Sequence, residues 1–212
     1  MPDSRWRNAA FARYERCRQK RGLAQSSQAA LFACGGIERE WTAGDNVSLA
    51  VGQGDLQATP LQLATAYSTI ANGGRVVRPH IGQAVEDGDG RLVEEIRKPA
   101  RRRLDLDDGN RTAVMEGLRR AAMEPDGTSA DVFGDFPYTV YGKTGTAERA
   151  PNPDQSWYAA YVEHPTRPIV VVTTVEKGGF GAETAAPAAR LILSEWFHLS
   201  DREFRAGSSQ TR

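Results

Sequence analysis

Between Phe136 and Val175 the chain changes to a period of two. "FPYTVYGKTGTA" sets Phe136, Tyr138 and Val140 against Thr139 and Tyr141, and "SWYAAYVEH" and "PIVVVTTVEK" follow with turn residues between them. Successive side chains of a strand point to opposite faces, so each stretch predicts a strand. The links are too short for crossovers, which leaves an antiparallel meander as the arrangement open to these residues. The unbroken apolar run Ile169–Val172 predicts a strand buried on both faces. A helix is expected from Glu183 to about Leu199, with Ala185, Ala189, Ile192 and Trp196 on one face. That stripe needs cover, and the sheet just before it is the nearest surface to supply it. Residues 200–212 are polar and expected to fray.

Upstream the signals are helical. "ATPLQLATAYSTIANGG" offers Thr59 as N-cap, Pro60 at the first helical position and Gln62 three residues after the cap. Leu63, Ala66, Tyr67 and Ile70 recur at helical spacing, and Asn72-Gly73-Gly74 stops the helix. "RVVRPHIGQAVED" and "RLVEEI" flank Asp87-Gly88-Asp89-Gly90, which predicts a β-hairpin. A further helix is predicted from about Asp107 to Glu124, with Val114, Leu118 and Ala121–Ala122 inward and Pro125-Asp126-Gly127 as its stop. Residues 4–21 read as a polar helix, and 22–46 as loop with a short helix near Gln28–Cys34. A composition change at Gly44-Asp45 divides the chain into a polar lead-in, 1–43, a folded part, 44–199, and a flexible tail, 200–212. The fold class is α+β, an antiparallel sheet with a C-terminal helix packed on it and further helices N-terminal to it.

Composition narrows the function. With 40% hydrophobic and 25% charged residues the chain reads as soluble and globular, and a formal net charge of zero gives no field toward nucleic acid or an acidic membrane. The basic runs in residues 1–21 and at Arg97–Arg103 are read as a solvated helix face and a solvated loop rather than as a nucleic-acid site. Three scattered histidines and no ligand spacing speak against a metal, and no cofactor motif occurs. Cys17 and Cys34 are compatible with a disulfide or with free thiols. No apolar run approaches ~18 residues, and Met1 opens a polar segment without a signal-peptide core, so these residues by themselves are expected in the cytoplasm.

The chemistry concentrates in Lys143-Thr144-Gly145-Thr146, toward the end of the first predicted strand. Alternation puts Lys143 and Gly145 on one face, Thr144 and Thr146 on the other. Gly145 lets another backbone lie close, so a peptide-like ligand can add as a strand. Lys143 supplies a positive charge, the threonine hydroxyls suit a carboxylate, and the Thr146 amide suits an oxyanion. The plainer reading is an edge-strand lysine beside a glycine bulge.

The surrounding residues decide between these. Gly44-Asp45, Gly52-Gln53-Gly54, Thr59-Pro60-Leu61-Gln62, Asn72-Gly73-Gly74, Arg78-Pro79-His80, "DGTSADVF", "YGKTGTAE" and "AAPAARLILSEWF" stand in one order, and "PDSRW" lies near the start. Together they resemble the C-terminal half of the transpeptidase domain of class B penicillin-binding proteins, over about Pro2 to Leu199. The resemblance implies acyl transfer at the D-alanyl-D-alanine end of a peptidoglycan stem peptide, with β-lactams as mimics, in the cell envelope at the outer face of the cytoplasmic membrane. It implies that Lys143, Thr144 and Gly145 line one wall of the site and that the Thr146 amide joins the oxyanion hole. Gly52, Gln53 and Gly54 are expected to shape a loop near the site.

The family also needs Ser-x-x-Lys for the nucleophile and Ser-x-Asn for proton relay. No serine here is followed by lysine three residues on, and no Ser-x-Asn occurs; Ser129-Ala130-Asp131 is the nearest and reads as a helix-to-strand turn. The expectation is therefore a partial transpeptidase domain, inactive alone, whose missing N-terminal half or a second chain carries the serine. The alternatives are a non-catalytic module that binds a peptide or β-lactam, and a β-lactamase or β-lactam-sensor relative. Neither a cell-division nor an elongation role is favoured by the sequence.

Overall fold

The computed structural model describes residues 16–17, 19–20, 42–54, 57–149 and 151–209. The chain forms two compact units, Met1–Leu56 and Gln57–Arg212. In the first, residues 16–17 and 19–20 are helical and Cys17 is disulfide-bonded, which resolves the state its spacing left open. The rest of the helix expected over 4–21 and the short helix near Gln28–Cys34 lie outside the described residues. Helix α1, Ala43–Ala50, was not expected and starts at the composition change. Its signal was local: the Asp45 carboxylate accepts from the Thr42 amide at 2.6 Å and the Thr42 hydroxyl at 2.8 Å, closing the first turn.

The second unit opens with α2, Pro60–Ala71, built as its sequence predicts. Thr59 Oγ1 accepts from the Gln62 amide at 3.2 Å while Gln62 Oε1 accepts from the Thr59 amide at 2.8 Å. Gly73 and Gly74 turn the chain at φ 74° and 98°, values that favour glycine. Strands β1 (Arg75–Val76), β2 (Ala84–Glu86), β3 (Leu92–Glu95) and β4 (Arg102–Arg103) follow, with β2 and β3 forming the expected antiparallel hairpin. Part of the second basic run is strand rather than loop: Arg102 and Arg103 pair with Val76 and Arg75, their side chains exposed. Helix α3, Asp108–Met123, is capped by Asp107, which accepts from the Asn110 amide at 2.8 Å. It buries Ala122, whereas Val114, expected inward, is exposed. The short helix α4, Ala130–Phe133, leads into the sheet.

Strands β5 (Val140–Arg149), β6 (Asn152–Val162) and β7 (Ile169–Val175) form the antiparallel meander in that order, and α5, Ala185–Trp196, packs on β6 and β7. The core lies between one sheet face and α4 and α5. It joins Val140, Tyr158, Ala160, Val162 and Val171 to Phe133, Ala185, Ala189 and Leu193. Two expectations fail in detail. Strand β7 is at the end of the meander, so although α2 and α5 both pack on it, only Val171 in the run Ile169–Val172 is buried. Helix α5 turns Ala186, Ala189, Arg190 and Leu193 inward, leaving Ile192 and Trp196 exposed. Residues 201–209, expected to fray, lack regular structure but are tied back by Arg190–Asp201, Arg205–Asp135 and Ser208–Asp131 contacts.

Candidate active site

Strand β5 bonds to β6 on one side, and among the described residues no strand lies on its other edge. Lys143, Thr144, Gly145 and Thr146 stand on it opposite Ala159, Tyr158, Trp157 and Ser156. The alternation is as expected: Thr144 and Thr146 are buried, Lys143 is exposed. The Lys143 ammonium nevertheless turns back along the strand, donating to the Thr144 hydroxyl at 3.0 Å and the Thr144 carbonyl at 3.2 Å. Desolvation there lowers its pKa below the ordinary lysine value. A cation and a hydroxyl thus stand 3.0 Å apart on one strand.

What holds these groups was invisible in the sequence. The Thr144 hydroxyl donates to Thr128 Oγ1 at 3.1 Å, in the turn before α4. Thr146 Oγ1 accepts from the Gly181 amide at 3.3 Å. Gly181 lies so close to the strand that a Cβ on it would sit 2.7 Å from the Gly145 carbonyl and 2.8 Å from the Gly145 nitrogen. Ser156, wholly buried, donates to the Phe180 carbonyl at 2.9 Å and accepts from the Ala185 amide at 3.1 Å, fixing the Phe180–Ala185 turn onto the sheet. The one available signal was the glycine-rich "KGGFGAE" between strand and helix, which marks close backbone approach without saying to what.

Beneath the strand, Tyr158 crosses Gly142. A Cβ on Gly142 would fall on the Tyr158 hydroxyl, with Cζ only 2.7 Å away. Tyr158 is fully buried, stacks on Phe133 with centroids 5.1 Å apart and shares a hydrogen bond with Ser129 Oγ at 3.1 Å. Ser129 thus serves as a buried structural hydroxyl at the start of α4, as its position in the helix-to-strand turn implies. Gly52, Gln53 and Gly54 belong to the first unit, where they follow α1 with φ of 75° and 91° at the two glycines. Among the described residues no helix is long and apolar enough to cross a membrane.

An edge strand with a lysine ammonium joined to a threonine hydroxyl, over a β-β-β-α frame, is the pattern of the penicillin-recognising fold. The model of the penicillin-binding protein transpeptidase domain matches residues 22–194, and the chain belongs to that family. It is 31% identical over 186 residues to the peptidoglycan D,D-transpeptidase MrdA of Haemophilus influenzae, an alignment that covers 78% of this chain and 27% of that protein. Among solved structures it is similar to Pseudomonas aeruginosa PBP2 in complex with WCK 5153, at TM-score 0.61 and 28% identity over 80% of this chain and 36% of that one. It is also similar to penicillin-binding protein A of Mycobacterium tuberculosis in its imipenem acyl-enzyme complex, at TM-score 0.53 and 27% identity over 70% of this chain and 33% of that one. The chain thus spans about a third or less of the lengths of these relatives. These likenesses give the fold its name, that of a class B penicillin-binding protein transpeptidase domain.

Proposed function

We propose that β5 is the substrate-binding wall of a peptidoglycan D,D-transpeptidase site. It takes the D-alanyl-D-alanine end of a stem peptide, or a β-lactam in its place, along the open edge of Lys143–Thr146. Lys143 holds the terminal carboxylate, the Thr144 hydroxyl turns its proton from Thr128 Oγ1 to that carboxylate on binding, and the Thr146 amide donates to the oxyanion of the tetrahedral intermediate. The nucleophilic serine and its lysine come from residues outside these 212, and the reaction belongs to the outer face of the cytoplasmic membrane. The observation that carries this reading is the Lys143 ammonium joined to the Thr144 hydroxyl on an open strand edge.

A transplant tests it. Residues 140–149 replace the matching strand of Mycobacterium tuberculosis penicillin-binding protein A, whose imipenem acyl-enzyme is known. The chimera is expected to take up imipenem covalently, detected by intact mass, and Lys143→Ala in it to slow acylation by about 10²-fold, the scale of one lost transition-state donor. An unslowed Lys143→Ala chimera would overturn the assignment. The 212-residue chain itself is expected to gain no covalent mass, and an adduct on it would place the nucleophile inside these residues.

A further inference from the structure

The residues after α5 do more than close the chain. Arg205 bridges Asp135 and Asp201, the second at 2.8 Å, and both aspartates also meet Arg190, which is 3% exposed and reaches Asp201 at 2.7 Å and Asp135 at 2.8 Å. Further along, the Gly207 amide donates to the Ala182 carbonyl at 2.9 Å, and the Ser208 amide donates to the Asp131 carboxylate at 3.1 Å, joined by the Ser208 hydroxyl. Gly207 is itself buried, and a Cβ there would meet Ala182 Cβ at 3.0 Å and Val132 at 3.2 Å.

The two places gripped are the two that hold the site strand. Asp131 and Val132 lie on α4, directly after Thr128, the partner of the Thr144 hydroxyl. Ala182 follows Gly181, the partner of the Thr146 hydroxyl and the backbone laid against Gly145. We propose that residues 201–209 are a positioning strap. They lock α4 to the Phe180–Ala185 turn, and through Thr128 and Gly181 they fix the threonines of β5, so Arg205, Ser208 and Asp131 are positioning residues for the carboxylate and oxyanion groups. The proposal rests on the reading of β5 as the site strand for its meaning in catalysis.

The test needs no ligand. Amide hydrogen exchange is measured residue by residue on the full chain, on the Arg205→Ala/Ser208→Ala double variant and on Asp131→Ala, which cuts the same tie from its other end. All three side chains lie on or near the surface, so neither variant empties the core. In both, the Gly181 and Ser129 amides are expected to exchange about tenfold faster, while the central amides of β6 keep their rates, as for a local opening. Unchanged Gly181 and Ser129 in both variants would overturn the strap. So would an equal acceleration of every amide, which marks general loss of stability rather than positioning. A failed imipenem test would remove the catalytic reading of β5 and leave this coupling to be judged on exchange alone.

Discussion

Gly142→Ala, one residue before the site lysine, tests how β5 is held. The new Cβ would land on the Tyr158 hydroxyl, with Cζ at 2.7 Å and Cε1 at 3.2 Å. Relief requires Tyr158 to move, but its ring is stacked on Phe133 at an interplanar angle of 10° and is wholly buried. Overpacking of this kind costs about 2–3 kcal/mol. Displacing the hydroxyl from Ser129 costs about 1 kcal/mol more, and alanine returns about 0.5 kcal/mol through the unfolded chain. The net loss is about 3 kcal/mol. Tyr158→Phe alone loses the hydrogen bond, about 1 kcal/mol, because Ser129 Oγ keeps the Ala121 carbonyl at 3.3 Å. In the double variant the hydroxyl is gone but Cζ still crowds the Cβ, so the total should be near 2 kcal/mol rather than the additive 4. Urea unfolding followed by tryptophan fluorescence measures this. With a slope of about 2 kcal/mol/M the single Gly142→Ala shift is about 1.5 M. A Gly142→Ala loss below about 1 kcal/mol, or additivity in the double variant, would show that Tyr158 does not occupy the space beneath Gly142.

Thr59→Ala removes one half of the reciprocal cap on α2 and is expected to lower stability by about 1 kcal/mol, read as a shift of the urea midpoint at constant slope. The Lys143 ammonium is desolvated, so its folded pKa lies below the ordinary 10.5. In the window between the two values the unfolded chain binds more protons than the folded one, so this group's penalty is relieved as pH rises toward 10.5. A ¹³Cε titration of the full chain should place the Lys143 midpoint below 10.5; a midpoint at or above it would mean the ammonium is solvated.

Local signals translated directly into structure. Thr59, Pro60 and Gln62 act within one helical turn, and Asn72-Gly73-Gly74 within another, so nothing distant was needed to read α2. The alternation from Val140 onward fixed both the meander and the faces of Lys143 and Thr144, because strand periodicity is a property of the backbone alone. Failures came where a neighbour decides. Ala185 and Ala189 of the expected α5 row are buried, but Ile192 and Trp196 are left exposed while Arg190 turns inward, its charge acceptable only because Asp135 and Asp201, outside the helix, meet it. The apolar composition of Ile169–Val172 could not disclose that β7 ends the meander. In the site itself the lysine–threonine motif was readable, but Thr128, Ser156, Tyr158 and Gly181 were not. Their roles exist only once β5, α4 and the Phe180–Ala185 turn are brought together.

That division follows from what the strand has to do. A ligand that adds along the edge of β5 needs that edge free of protein, so no neighbouring strand can hold it there. Restraint comes instead from β6, from α3, which packs on β5 and takes the Val140 amide on Met123 Sδ at 3.3 Å, and from the buried face. The hydrogen bonds agree: Thr144 is held by Thr128, Thr146 by Gly181, and Gly142 is filled from below by Tyr158. Glycines at 142 and 181 are the condition for this arrangement, since the first lets the Tyr158 ring and the second the β5 backbone approach where a Cβ would stand. The tight fit on the buried side belongs to Gly181 rather than to the motif's own glycine: a Cβ on Gly181 would strike the Gly145 backbone at 2.7–2.8 Å, whereas a Cβ on Gly145 would meet only Trp157 Cβ, at 3.2 Å, so the backbone of β5 is held at this point by its buried neighbour.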